Sequence, residues 1–221
     1  MAQPSPPAPP PTLEDLNRAQ RKFARDIKAF EATGGHYIDR GLALEPRHVQ
    51  GCEVFATRYE ILDRLPKGGV VAEVGTDTGD FAKAILERTS PSKLHVLDIA
   101  MDRVRPDTRA AFDADARVAL HEGDSSTLLS NFPPSTFDWI YIDGDNYYDG
   151  VRKDLDAALK VLKPDGMLIF NDYTAWSVGS MSRCGVVRAV NELCVKQGWR
   201  FKYFSFQGLM YCDVALERIP A

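Results

Sequence analysis

Long apolar runs are missing from this sequence, and no stretch approaches the roughly 20 residues that a membrane-spanning helix needs. A basic excess is missing too: 27 lysines and arginines face 31 aspartates and glutamates, so no nucleic-acid-binding surface is expected. The four cysteines are widely separated and form no CxxC pair, which argues against a zinc site and indicates reduced thiols. The start of the chain has neither a basic segment nor an apolar core, so we expect no secretory signal and a cytoplasmic protein.

The sequence predicts a proline-rich leader, a helical extension and one α/β domain. Proline dominates residues 1–11, which favours polyproline II or disorder. Residues 12–66 form the predicted extension, a cap over a pocket or an association element. One of its helices starts at an N-cap, Thr12, and a second covers about residues 46–65. Residues 67–221 form the predicted domain.

Short apolar runs alternate with helical patterns from Gly69 onward, which is typical of parallel strands covered by helices on both faces. The clearest helix begins near Asp149 and carries one apolar stripe. Two closely spaced strands, residues 201–206 and 210–216, predict a C-terminal antiparallel hairpin. We therefore expect a Rossmann-like, seven-stranded, mostly parallel sheet with helices on both faces. The predicted parallel strands are residues 70–74, 94–99, 118–121, 139–142 and 167–170.

The turn after the first of these strands, EVGTDTGDF from Glu73 to Phe81, is rich in glycine and leads into a helix. Gly75 and Gly79 let the backbone pass close to a ligand at a helix N-terminus. The spacing differs from the GxGxxG of dinucleotide-binding turns, and a carboxylate such as Asp77 would repel a pyrophosphate, so NAD is disfavoured. An acid followed by this turn suits a cationic sulfonium and a zwitterionic amino acid instead.

Acidic residues also follow the next two strands. Asp98 ends the second strand, where an acid can accept hydrogen bonds from both ribose hydroxyls. Asp124, in the GDS sequence after the third strand, can take the adenine amino group or can simply cap the helix that follows. With Glu73, they place three acids at successive strand ends, which favours the ligand-binding interpretation.

These motifs, together with WIYIDGDNYYDGVRKDL and LKPDGMLIFNDY, resemble the class I S-adenosylmethionine-dependent methyltransferases over residues 50–216. Within that class, the sequence is most similar to the macrocin and catechol-type O-methyltransferases. The resemblance implies an enzyme that transfers a methyl group to a small-molecule hydroxyl. An N-methyltransferase acting on a small amine and a catalytically silent cofactor-binding relative are the alternatives. The resemblance also implies that S-adenosylmethionine lies against Glu73, Gly75, Thr76, Gly79, Phe81, Asp98, Ile99, Asp124, Ser125 and Asp143.

Polar residues at the ends of the fourth and fifth parallel strands predict a metal site. Asp143 follows one strand, and Asn171 and Asp172 follow the other, so neighbouring strands about 4.8 Å apart would bring their oxygens together. Such oxygen ligands suit Mg²⁺, and catechol-type relatives use this arrangement. The other interpretation is that these residues cap helices and hold loops without a metal.

The candidate catalytic residues are Asp143 and Asn146. Relatives usually carry histidine after the Asp-Gly-Asp sequence where this chain has Asn146, and an amide cannot accept a proton near neutral pH. A general base is therefore not identified by the motif alone.

Two other enzyme classes use the same kind of sheet. A nicotinamide oxidoreductase is disfavoured by the missing GxGxxG, whereas an aminopropyl transferase stays an alternative. The expected partner is a small-molecule acceptor, with no nucleic acid and no membrane. Association into a homo-oligomer is left open.

Overall fold

The computed structural model describes residues 10–39 and 41–220, and its contacts divide the chain into two units. The smaller unit reaches Asp39, and the larger unit begins at Arg40. The proline-rich leader predicted for residues 1–11 lies largely outside the described residues.

The smaller unit contains one long helix, α1 (Leu13–Glu31). Thr12 caps it: its hydroxyl oxygen accepts a hydrogen bond from the Asp15 N–H at 3.2 Å, while the Asp15 carboxylate accepts one from the Thr12 N–H at 3.0 Å. This reciprocal arrangement satisfies backbone N–H groups that a helix leaves without partners at its start. The predicted N-cap at Thr12 is confirmed.

The larger unit is built around a sheet. The strands of the described chain are β1 (Glu53–Phe55), β2 (Val70–Val74), β3 (Lys93–Asp98), β4 (Val118–Glu122), β5 (Phe137–Ile142), β6 (Leu162–Phe170), β7 (Trp176–Ser177), β8 (Ser182–Arg183), β9 (Trp199–Phe206) and β10 (Cys212–Arg218). Eight of them form the main sheet in the order β1-β9-β10-β6-β5-β2-β3-β4, and β7 pairs with β8 apart from it. Neighbours in the main sheet are parallel except where β10 pairs antiparallel with β6 and β9. The mostly parallel sheet and its antiparallel C-terminal hairpin are therefore confirmed.

Helices cover both faces of this sheet. They are α2 (Arg58–Arg64), α3 (Asp80–Thr89), α4 (Pro106–Ala114), α5 (Ser125–Ser130), α6 (Tyr148–Val161) and α7 (Val186–Gln197). Two separate apolar cores result, because successive strand residues point to opposite faces: Ile140 and Ile142 of β5 pack in one core, and Trp139 and Tyr141 pack in the other. Among the described helices, none is both long enough and apolar enough to cross a membrane.

The strand count and the second predicted helix need correction. The main sheet has eight strands rather than seven, because Glu53–Phe55 forms β1 and pairs in parallel with β9. This strand lies inside the helix predicted for residues 46–65, which is reduced to a short 3-10 turn at Pro46–His48 and to α2. Gly51 explains the break, since its φ of 77° belongs to the left-handed region and ends any helix running through it.

The fold places the motif residues at one edge of the sheet. β2 lies between β3 and β5, so the chain leaves β2 towards one side and later returns on its other side. The carboxyl ends of these parallel strands therefore flank a crevice at the point where strand order reverses, which is where open α/β sheets bind ligands.

Candidate active site

A cavity of about 850 Å³ opens at the carboxyl ends of β2, β3, β4 and β5. The predicted cofactor residues surround it with a single exception, Gly79. Three cationic side chains that the sequence did not single out also line it, namely Arg58, Arg103 and Lys153. The predicted residues at the cavity are Glu73, Gly75, Thr76, Phe81, Asp98, Ile99, Asp124, Ser125 and Asp143.

The glycine-rich turn forms one wall of the cavity, and its two glycines are required by geometry. Gly75 has a φ of 81°, and a Cβ atom there would overlap the carbonyl oxygen of Asp143. Gly79 has a φ of 84° and is the N-cap of α3, which lets the chain turn directly from β2 into the helix. The first N–H groups of α3 are consequently placed beside the cavity, where Asp80 is a lining residue.

Asp98 holds this turn in place. Its Oδ2 atom accepts hydrogen bonds from the N–H groups of Thr76 at 2.7 Å and Asp77 at 3.1 Å, and Oδ1 accepts one from Ala100 at 2.9 Å. Burial opposes ionisation, but these backbone donors and nearby Arg103 give Asp98 a lowered pKa. The carboxylate is therefore charged at neutral pH, and Asp98 is one of the residues that line the cavity.

Asp124 caps a helix and also lines the cavity. Its Oδ1 atom accepts hydrogen bonds from the Thr127 N–H at 2.8 Å and the Ser126 hydroxyl at 2.7 Å, which fixes the start of α5. Ser125, the next residue, donates to the buried carboxyl of Asp154 at 2.5 Å. The structure thus shows the capping role directly.

Glu73 lies at the floor of the cavity with 1% of its surface exposed. Burial raises its pKa to about 8. Within the described part of the chain, its Oε2 atom has no hydrogen-bond partner. A buried acceptor of this kind is costly unless a ligand satisfies it, and a cationic or hydrogen-bond-donating ligand fits it best.

A cluster of polar groups lies next to the cavity, where β5, β6 and β10 meet; we call it the carboxyl cluster, made of Tyr141, Asp143, Asn171, Asp172 and Asp213. Asn171 donates from Nδ2 to Asp143 Oδ1 at 2.8 Å, and the Tyr141 hydroxyl donates to Asp213 Oδ2 at 2.6 Å. Desolvation raises the pKa of Asp143 well above its ordinary value, and it raises that of Asp213 to about 7. The 27% of the Asp143 side chain that stays exposed opens to the cavity.

The residues predicted to bind Mg²⁺ come together but do not fit the ion. The Oδ1 atom of Asn171 accepts hydrogen bonds from Gln207 Nε2 at 3.0 Å and from Arg58 Nη1 at 3.4 Å, so both of its lone pairs are used. Arg58 Nη1 also lies 3.8 Å from Asp143 Oδ2. The described residues contain no group of three or more histidine, cysteine, aspartate or glutamate side chains placed to hold a metal.

Asn146, the second candidate catalytic residue, faces Asp172 rather than the cavity. Its Nδ2 atom donates to Asp172 Oδ2 at 3.2 Å, and its backbone carbonyl accepts a hydrogen bond from the Gly185 N–H. Asp172 has a φ of 53°, which is unusual for a residue other than glycine. Asn146 is therefore placed to orient Asp172 within the carboxyl cluster.

Besides Arg103 and Lys153, sequence reasoning missed Arg58, Tyr141 and Asp213. Asp213 carried a usable signal, since a carboxylate inside the apolar strand Cys212–Arg218 needs a partner. Arg58 carried none, because it stands in a segment assigned to the helical extension.

The comparisons with known proteins agree with this geometry. Residues 72–173 match a family model described as a methyltransferase domain. This segment contains the glycine turn and the carboxyl ends of β2, β3, β4 and β5, where the cavity opens. This segment is therefore similar to methyltransferase domains. The fold around it is that of class I S-adenosylmethionine-dependent methyltransferases. No curated protein matches the chain by sequence.

Solved structures show the same fold at low sequence identity. The chain is similar to the pyocyanin biosynthetic protein PhzM, with 18% identity, a TM-score of 0.55, and coverage of 73% of this chain and 54% of that one. A spermidine synthase in complex with a transition-state analogue is 16% identical, with a TM-score of 0.54 and coverage of 73% and 58%. An S-adenosylmethionine-dependent methyltransferase from Mesorhizobium loti is 16% identical, with a TM-score of 0.54 and coverage of 72% and 96%. The present chain thus spans little more than half of the first two structures.

Proposed function

We propose that this domain binds S-adenosylmethionine in the cavity of about 850 Å³ and transfers its methyl group to a hydroxyl oxygen of a small molecule. The observation that carries the proposal is the floor of that cavity. There Glu73 presents a buried oxygen that has no hydrogen-bond partner among the described residues, beside a glycine turn that Asp98 holds in place. A bound cation would favour the ionised form of this carboxyl, so the floor suits the sulfonium and ammonium groups of this cofactor. The glycine turn lets the cofactor approach the backbone closely.

The bound cofactor would supply an already activated methyl group, so this chain has to position the acceptor and remove its proton. Asp143 is the candidate proton acceptor, since it lines the cavity and desolvation raises its pKa. Asn171 fixes one of its oxygens at 2.8 Å, which leaves Oδ2 for the acceptor hydroxyl. No step of this proposal requires Mg²⁺.

The four cysteines among the described residues are free thiols, so the proposed setting of the protein is the reducing cytoplasm.

Calorimetric titration with S-adenosylmethionine and with its demethylated product tests the cofactor. We expect micromolar binding to the wild-type protein. Asp98→Ala should weaken it at least about tenfold, because the glycine turn loses its anchor and the ribose its acceptor. Asp107→Ala, an exposed change on α4 away from the cavity, is the control and should bind like the wild type. A wild-type protein that binds neither ligand contradicts the proposal.

The acceptor atom is tested by transfer of an isotope-labelled methyl group to a library of small hydroxyl and amine compounds. A product whose NMR signal is that of an O-methyl group supports the proposal, and an N-methyl product would assign the alternative. Binding without turnover on any acceptor would favour the catalytically silent relative. Turnover of decarboxylated S-adenosylmethionine would favour aminopropyl transfer instead.

A further inference from the structure

Arg58 stands at the start of α2 and enters the site from outside the matched segment. The backbone there is well fixed, because Glu60 Oε2 accepts hydrogen bonds from the N–H groups of Ala56 at 2.8 Å and Thr57 at 3.1 Å. The guanidinium carbon lies 4.1 Å from the centre of the Phe81 ring, which is a close cation–π contact. This packing holds the charged group against the wall of the cavity.

One nitrogen of this guanidinium reaches three members of the carboxyl cluster. Arg58 Nη1 donates to the Tyr141 hydroxyl oxygen at 3.3 Å and to Asn171 Oδ1 at 3.4 Å, and it lies 3.8 Å from Asp143 Oδ2. This nitrogen thus lies beside Asp143 Oδ2 and Asn171 Oδ1, two of the oxygens that the sequence assigned to a divalent cation. Metal–oxygen bonds of about 2.1 Å would require the guanidinium to leave.

The charges around Arg58 explain why a fixed cation is needed. Glu73, Asp143, Asp172 and Asp213 bring four carboxyl groups to a small, largely buried region. Although burial opposes its charged form, the neighbouring Tyr141, Asp213 and Asp143 raise the pKa of Arg58, so it stays positively charged. A permanent positive charge limits the repulsion that would otherwise arise between the carboxylates.

We propose that Arg58 is the resident cation of this site: its guanidinium takes the place of a divalent metal ion between Asp143 and Asn171, and it sets how strongly the site prefers a cationic methyl donor over the neutral product. The selectivity part of this inference rests on the proposed function, because it assumes that S-adenosylmethionine and its demethylated product bind in the cavity. It goes beyond that function in assigning a metal-free site and a selectivity role to a residue outside the matched segment.

The first experiment is a Mn²⁺ titration of the wild-type protein followed by electron paramagnetic resonance, with and without S-adenosylhomocysteine. We expect no stoichiometric binding in either state, because Arg58 fills the position. One Mn²⁺ bound with micromolar affinity and lost in Asp143→Asn would overturn the proposal. This experiment decides the metal question even if the protein binds neither nucleoside.

The second experiment measures the ratio of the dissociation constants for S-adenosylmethionine and S-adenosylhomocysteine in wild type, Arg58→Met and Arg58→Lys. Methionine keeps apolar volume without charge, so the remaining carboxylates should favour the cationic donor over the neutral product by about tenfold more than in the wild type. Lysine should restore the wild-type ratio. A merely structural role would weaken both ligands alike and leave the ratio equal in all three proteins, and that result would refute the selectivity role. Circular dichroism checks that each variant is folded.

Discussion

Glu73 shows at the scale of one residue how a ligand site costs stability. Its carboxyl is buried on the cavity floor, one of its oxygens has no partner among the described atoms, and its pKa is raised to about 8. A carboxyl with a raised folded-state pKa keeps its proton at a pH where the unfolded chain has already lost it. The free energy of unfolding therefore falls as pH rises from the ordinary value of 4.5 to about 8.

We expect Glu73→Gln to remove this dependence, because glutamine is neutral at every pH. Relative to the variant, the wild-type protein should lose about 2–4 kcal/mol of unfolding free energy between about pH 5 and about pH 8. Urea denaturation across this range measures the difference. Glu87→Gln, an exposed change on α3, is the matched control and should follow the wild type. Parallel curves for wild type and Glu73→Gln would show that the carboxyl is not held neutral.

Single residues also show which parts of the site the sequence could predict and which it could not. Glu73 and Asp98 lie at the carboxyl ends of their own strands, so the strand pattern alone places them at one edge of the sheet. Arg58 reaches that edge from another element, and its contact with Asn171 spans 113 positions of the chain. A contact between distant segments leaves no local pattern, so only the packed structure reveals it.

At the scale of elements, periodicity predicts the helices that cover the sheet. The apolar stripe predicted for the helix near Asp149 is confirmed in α6, where Val151, Leu155 and Ala158 are buried. β1 escaped prediction because it has three residues, too few for any periodic signal. Its existence depends on pairing with β9, a partner far along the chain.

Leu155→Ala tests the contribution of α6 to the core. Leu155 is fully buried, so its truncation should leave a cavity and lower the free energy of unfolding by about 2–5 kcal/mol. Lys160→Ala on the exposed side of the same helix should change stability by less than about 0.5 kcal/mol. Denaturant unfolding of both variants provides the comparison. Equal stability of the two would mean that α6 does not pack as described.

At the scale of the whole molecule, the two cores share one sheet, so occupation of the cavity should stabilise the larger unit as a whole. A ligand present at about 100 times its dissociation constant stabilises a folded protein by about 2.7 kcal/mol. For a chain of this size, S-adenosylhomocysteine should raise the melting temperature by about 5–10 °C. Differential scanning calorimetry measures the shift. Asp98→Ala, which should bind at least about tenfold more weakly, should show about half of the shift or less at the same concentration, and a full shift in that variant would remove Asp98 from the site.

β1 has a practical consequence for anyone who shortens this protein. A chain cut at residue 67, the predicted domain boundary, would contain the whole matched segment but would lack the strand that pairs with Tyr203, Phe204 and Ser205. The outer edge of β9 would then offer its unsatisfied N–H and C=O groups, flanked by aromatic side chains, to other molecules. Such a truncated protein should aggregate during expression, whereas one that begins upstream of Glu53 keeps the edge covered.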